Sequence, residues 1–345
     1  MNNKYFLLMV ILLLAVCWPG PLAAEKPETT IPIFCYHHIL PKSDNYLSIT
    51  PQQFEEQLKF IRDNNYTPIS LNRFNLFLEG KTLLPPKPVI LTFDDGNYSV
   101  YQYGFPLLKK YRFPGVFFVN TERVGVTPEQ MNWEQLRELV RYGNEVQSHG
   151  HTHDFMYPRP GETHPAFLKR MDKELNYSAQ ILAQMLSKPV RFLAYPYGWY
   201  NKEVIDLAVK YGYRAMLTVN GGPNISSSSP YTLRRWVVYQ NDRMSDFIHQ
   251  LESLNLPLQA IAPSQGETVS AHQVYFKVQI PDLPRKWLRF YFKMRSEISP
   301  AKVNYQNLVS ESPFKLEKEF NSVLLQVQDA EGNWYAGSWW FYYKK

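Results

Sequence analysis

The sequence predicts an α/β fold: a distorted, TIM-like (β/α) barrel over residues 25–262, followed by a small all-β, immunoglobulin-like sandwich over residues 263–345. Three observations predict it. Short apolar runs alternate with amphipathic helical stretches from about Ile31 to Ile261, and parallel strands need such crossovers between them. After Pro263 the helical stretches stop and strand-like runs succeed one another directly. Carboxylates and histidines cluster at the ends of the apolar runs, where barrel enzymes place their chemistry.

The elements follow in order. Residues 31–36 read as a strand and residues 53–64 as a helix, with Phe54, Leu58 and Ile61 at helical spacing. Residues 89–93 form the next strand, and a helix runs through Leu107-Leu108. Strands are expected at 115–120, 145–148, 190–195 and 215–219, with helices at 133–142, 166–186 and 202–211. An open doubly wound sheet is the alternative. No Gly-rich phosphate loop follows the first strand, which removes the usual nucleotide reading. In the C-terminal part, strands are expected at 274–280, 288–294, 314–320, 323–328 and 339–343. Trp334, Trp339 and Trp340 there suit a core or interdomain contact, or stacking on sugar rings.

The N-terminus reads as an export signal over residues 1–24. Lys4 precedes an apolar run from Tyr5 to Val16, Pro19-Gly20-Pro21 breaks it, and Leu22-Ala23-Ala24 supplies small residues for cleavage. The apolar core is short for a stable span; a retained anchor is the alternative. Cys17 falls within this segment, so the processed chain keeps Cys35 alone and forms no internal disulfide. A location in the periplasm, the cell envelope or outside the cell follows. No second apolar stretch is long enough to span. The net charge of +6 comes without a Lys/Arg run of five, so no nucleic-acid partner is expected.

Three clusters carry chemistry. Leu91-Thr92-Phe93-Asp94-Asp95-Gly96 runs an apolar strand into two adjacent carboxylates. Neighbouring side chains on a strand face opposite ways, so both reach one site only where the strand ends, and Gly96 permits the turn. Ser148-His149-Gly150-His151-Thr152-His153-Asp154 follows the next polar-tipped strand. His149 and His153 are four residues apart, a spacing that lets two imidazoles share a metal. With one aspartate they leave open positions for water and substrate, as a hydrolytic metal needs. Ala194-Tyr195-Pro196-Tyr197-Gly198 ends a third apolar run, and Tyr197 keeps an N–H that can face an anion.

Together these motifs resemble the polysaccharide deacetylase family (NodB homology, carbohydrate esterase family 4), over roughly Ile31 to Ile261. The resemblance implies Asp94 as catalytic base and Asp95, His149 and His153 as metal ligands. It further implies the Tyr197 N–H as an oxyanion donor and a divalent metal, most often Zn2+, with Co2+ or Ni2+ suiting the same ligands. The motif usual near the C-terminal end of the domain is absent, and the surroundings of His249 do not match it. Phe34-Cys35-Tyr36-His37-His38 instead resembles the branch acting on exported poly-N-acetylglucosamine. That implies His37 as general acid, with His38 as the alternative. Arg191 lies too far from Pro196 to match the family's usual partner for the base. The expected activity is hydrolysis of N-acetyl groups from an amino-sugar polysaccharide. The alternatives are an O-acetyl esterase and a non-catalytic glycan-binding envelope protein.

Overall fold

The computed structural model describes residues 29–344, except 282–286, 295–296 and 305–306. The expected signal over residues 1–24 lies outside the described residues. Among those residues, no helix is long and apolar enough to cross a membrane.

Seven parallel strands form the main path of the first sheet: β1 (Ile33–Tyr36), β2 (Pro88–Phe93), β3 (Val116–Val119), β4 (Glu145–Ser148), β5 (Phe192–Ala194), β6 (Ala215–Leu217) and β7 (Trp236–Val237), and the short Thr67–Pro68 pairs with β2 as an eighth. Their spatial order is β7-β1-β2-β3-β4-β5-β6. The order follows the chain without a reversal, unlike a doubly wound sheet. The far edge is drawn back to β1: Leu233 bridges Leu217 and its N–H donates to the Met216 carbonyl at 2.9 Å, while Trp236 pairs with Phe34. The sheet therefore curls into a distorted barrel. Strand β7 was not foreseen, because two residues carry no period.

Alternation along the strands separates two cores. Ile33, Ile90, Val116, Phe118, Phe192 and Leu217 form one buried cluster inside the barrel. Phe34, Tyr36, Leu91, Phe93, Phe117 and Val119 form another, outside, with Phe54, Leu58 and Ile61. Those three lie on the helix Pro51–Asp63, which begins at a reciprocal capping box between Thr50 and Gln53. Burying each such side chain stabilises the layer by about 1.5–3 kcal/mol.

The long helix expected over 166–186 is three joined pieces: His164–Met171, a π-helical segment Asp172–Tyr177, and Ser178–Leu186. The wider π turn falls where Glu174 meets the loop after β4.

The C-terminal unit is all β. Its pairing begins before Pro263, since Leu254–Asn255 pairs with Trp334–Tyr343 and Gln259–Ala262 pairs with Lys277–Gln279. Residues 297–300 pair with Trp287–Met294, whereas residues 301–304 pair with Asn307–Ser310. The strand Glu297–Asn304 thus passes between two sheet halves. Phe276 and Val278 from one half share a core with Phe292, Leu325 and Phe341 from the other. Trp339 is part of this core at 1% exposure, so it is not a sugar platform.

The two units meet through aromatics. Phe320 stacks on Trp199 with centroids 4.9 Å apart, and Tyr342 stacks on Tyr157 at 4.2 Å.

Candidate active site

The C-terminal ends of the barrel strands bring the predicted residues together. Asp94 continues the inward series Ile90, Thr92 and is 2% exposed. Its N–H donates to the Tyr36 carbonyl at 2.9 Å, which holds the end of β2 against β1. Asp95 then takes a left-handed φ of 71° and Gly96 follows at 69°. This reversal is how adjacent carboxylates reach one cleft despite strand alternation.

Asp94 is gripped by Arg235. The guanidinium donates to Oδ1 at 2.7 Å and to Oδ2 at 2.8 Å, and its Nε–H donates to the Thr218 carbonyl at 2.8 Å. Arg235 is fully buried. Burial alone would raise the Asp94 pKa, but Arg235, then His149, outweigh it and hold the carboxyl well below the usual range. Cys35 also donates its thiol to Asp94 Oδ2 at 3.4 Å, and burial pushes that thiol well up, keeping it protonated.

Arg235 is the residue that sequence reasoning missed. Arg191 is exposed, and its N–H bonds the Gln147 side chain at 2.9 Å. The adjacent Arg234-Arg235 pair after Leu233 was the available signal, but without β7 nothing placed it beside β2.

His149 continues β4, with its N–H on the Val119 carbonyl at 2.9 Å. Its Nδ1 lies 2.7 Å from the Ala194 carbonyl. A carbonyl only accepts, so Nδ1 carries the proton and Nε2 presents its lone pair. Nε2 is 3.5 Å from Asp95 Oδ1, and His153 Nε2 is 3.3 Å from the same oxygen. His153 Nδ1 faces the Tyr197 hydroxyl at 3.1 Å. Burial, then the neighbouring His149, lower the His153 pKa and favour its neutral form.

These three residues fit a cation. Asp95 Oδ1 is buried without a hydrogen-bond partner. The donor atoms of Asp95, His149 and His153 all lie within 4.8 Å of one another. Ligands about 2.0–2.1 Å from a tetrahedral zinc ion sit about 3.4 Å apart, close to the spacings from Asp95 Oδ1. Cys35, His37 and Asp94 are similarly close, but Arg235 occupies both Asp94 oxygens. The two clusters therefore divide into a metal set and a base.

His151 turns away, with Nδ1 at 2.7 Å from Thr121 Oγ1. Glu174 holds the intervening loop, accepting from the N–H of His151 at 2.8 Å, the N–H of Thr152 at 3.0 Å and the Thr152 hydroxyl at 2.6 Å. Gly150 has φ +81°, and a Cβ there would lie 2.8 Å from Glu174 Oε2. Glu174→Gln puts an amide against these donors. It is expected to weaken divalent-cation binding by about 10–100-fold, measured by competition with a chelator.

His37 shares the inward face with Cys35, and its Nδ1 is buried without a partner. Burial lowers its pKa, against the opposing pull of Asp94 and Asp95. His38 faces Ser99 Oγ at 3.5 Å, so His37 is the histidine beside Asp94. His249 lies elsewhere, against Gln326 at 2.7 Å. Tyr197 has φ 60° and is 46% exposed. The turn's backbone bonds run from Gly198 to Tyr195 and from Trp199 to Pro196, so neither uses the Tyr197 N–H.

Fold and site resemble those of a polysaccharide deacetylase domain, and residues 81–216 match the family model described as polysaccharide deacetylase. The chain is similar to that family, whose N-deacetylases are hydrolases of carbon–nitrogen bonds other than peptide bonds. It is 26% identical over 211 residues to the poly-β-1,6-N-acetyl-D-glucosamine N-deacetylase of Staphylococcus aureus, covering 59% of this chain and 72% of that one. The Bacillus subtilis protein YxkH is 29% identical over 230 residues, covering 67% and 78%. Among solved structures, IcaB from Ammonifex degensii superposes with a TM-score of 0.59 at 26% identity, covering 66% of this chain and 99% of that chain. The Streptococcus pyogenes deacetylase PplD, in complex with acetate, gives a TM-score of 0.59 at 25% identity, covering 65% and 99%.

Proposed function

We propose that this chain removes N-acetyl groups from an exported amino-sugar polysaccharide and releases acetate. Poly-β-1,6-N-acetylglucosamine is the substrate that the Staphylococcus aureus relative favours. One observation carries the reading: adjacent carboxylates have opposite settings, Asp94 ionised against Arg235 and Asp95 turned toward two histidine nitrogens.

Asp95, His149 and His153 would hold a divalent cation, zinc first, with cobalt and nickel suiting the same ligands. When bound, the ion supplies Lewis acidity that eases deprotonation of water and draws charge from the acetyl carbonyl. The chain's own residues do the rest. Asp94 takes the proton of the attacking water, whose oxygen bonds to the acyl carbon. The Tyr197 N–H donates to the carbonyl oxygen as charge develops there, a term of about 3 kcal/mol for such donors. His37 is neutral at rest, so the proton that Asp94 accepted passes to it first. The C–N bond then breaks with its electron pair on nitrogen, and the protonated His37 gives that nitrogen its proton. The products are one acetic acid, which ionises to acetate, and one free amine.

Residues 1–24 would act as an export signal, placing the enzyme in the periplasm, the envelope or outside the cell. The C-terminal unit, with one core between two sheet halves, suits an immunoglobulin-like sandwich.

The test compares acetate release from β-1,6-linked N-acetylglucosamine oligomers and from O-acetylated xylan oligomers. His37→Gln is expected to slow the amide reaction by about 10²–10⁴-fold and the ester reaction far less, because an alkoxide leaves more readily than an unprotonated amine. Turnover of the ester alone would establish an O-acetyl esterase instead.

A further inference from the structure

The Tyr197 turn has a second side. It continues through Gly198-Trp199 to Tyr200, which walls a cleft of about 510 Å³ between the barrel and the C-terminal sheet. Three residues span at most about 11 Å, so this cleft begins close to the catalytic one. Its volume falls within the ~300–1,000 Å³ of sites that take small organic groups. Tyr157, Tyr200 and Trp340 supply aromatic surface, and Arg234, Lys202 and Gln265 supply donors.

Two features say what it takes. Trp340 is only 5% exposed, and its Nε1–H leans toward the Tyr200 hydroxyl without closing a full hydrogen bond. A buried donor left under-satisfied is costly, and a ligand oxygen would offset that cost. The charge in the wall is also one-sided. Arg234 donates to Asn255 Oδ1 at 3.0 Å, and among the described residues no carboxylate forms a salt bridge with it. Lys202 pairs at 2.7 Å with Asp206, which is outside the wall. A sugar bearing an acetamido group offers a C–H face to the aromatics and a carbonyl to the donors. A sugar bearing an ammonium meets Arg234, which has no carboxylate partner among the described residues, and a Lys202 already bridged to Asp206, with no acid in the wall itself.

We propose that this cleft binds N-acetylated units of the polymer beside the reacting unit and rejects units already deacetylated. The inference rests on the N-deacetylase reading above. It makes the C-terminal unit, which contributes Trp340 and Gln265, part of substrate recognition. The enzyme would hold acetylated stretches and release finished ones.

The test follows the Trp340 indole N–H by NMR in the metal-free full chain carrying Asp94→Asn, so that nothing is turned over. Titrants are a β-1,6-linked N-acetylglucosamine pentamer and its fully de-N-acetylated counterpart. The acetylated pentamer is expected to shift this resonance saturably, and the cationic one to leave it unmoved. Trp340→Phe keeps an aromatic ring, smaller by the pyrrole part, and removes the donor; it should weaken pentamer binding about three- to tenfold, read by calorimetry. Lys202→Glu, an exposed change, should bring the cationic pentamer into the cleft. An unmoved indole, or equal binding of both pentamers to the unaltered cleft, would overturn the proposal. Acetate release by the active enzyme with an unmoved indole would sink the cleft alone. Indole shifts without acetate release would sink the deacetylase reading and leave the cleft standing.

Discussion

Replacing Asp94 with asparagine is expected to lower acetate release by about 10²–10⁴-fold, the range for a positioned general base, while zinc content stays unchanged. The separation of tasks is what makes this sharp. Asp95 Oδ1 is the nearer carboxylate oxygen to His149 Nε2, at 3.5 Å against 3.8 Å for Asp94 Oδ2, and it lies 3.3 Å from His153 Nε2, whereas both Asp94 oxygens engage Arg235. Asparagine keeps the shape and loses the proton acceptor. Metal analysis of the purified variant beside its rate checks both halves. Loss of zinc together with activity would mean that Asp94 belongs to the ligand set.

Arg235→Met is the change expected to cost most stability, about 3–5 kcal/mol, because it leaves a buried carboxylate without its counter-charge. Its pH dependence has a definite sign. Asp94 has a folded pKa depressed below its unfolded value, so the pair's contribution is present above about pH 4 and is lost as pH falls through the folded value. The stability gap between parent and variant should therefore be wide at neutral pH and narrow in acid. Urea unfolding at pH 7 and at the most acid pH where both proteins still fold measures it. An equal gap at both would mean that the ion pair is not its source. The variant should also lose activity, since an unpaired buried Asp94 is protonated more readily.

Much of this was legible in the sequence. The inward face of the barrel follows from period-two alternation, which puts Ile90, Thr92 and Asp94 on one side and Cys35 and His37 on another strand's same side. His149 and His153 could be chosen over His151 from their spacing, and the structure turns His151 to Thr121. What escaped depends on contacts distant in sequence. Arg235 is 141 residues from Asp94, and the two-residue strand that delivers it has no pattern of its own. Glu174 sits in a helix whose apolar stripe gave no reason to look at a glutamate. In the C-terminal unit, residues 297–304 were not among the expected strands, and Pro300 lies among them where the chain is leaving one sheet half for the other. Conversely, the strand expected over 314–320 is broken, with Phe314–Lys315 paired to Gln273–Val274 and pairing to Trp334–Tyr343 resuming at Phe320. Apolar spacing showed burial there but not which partner the backbone would take.

The most direct test of the central claim is acetate release from β-1,6-linked N-acetylglucosamine oligomers, followed as zinc is titrated into metal-free protein. Activity that rises linearly and saturates at one zinc per chain, and that fails to appear in Asp95→Ala or His153→Ala at the same zinc level, is the predicted result. Full acetate release by the metal-free protein, or restoration by zinc in either variant, would contradict it.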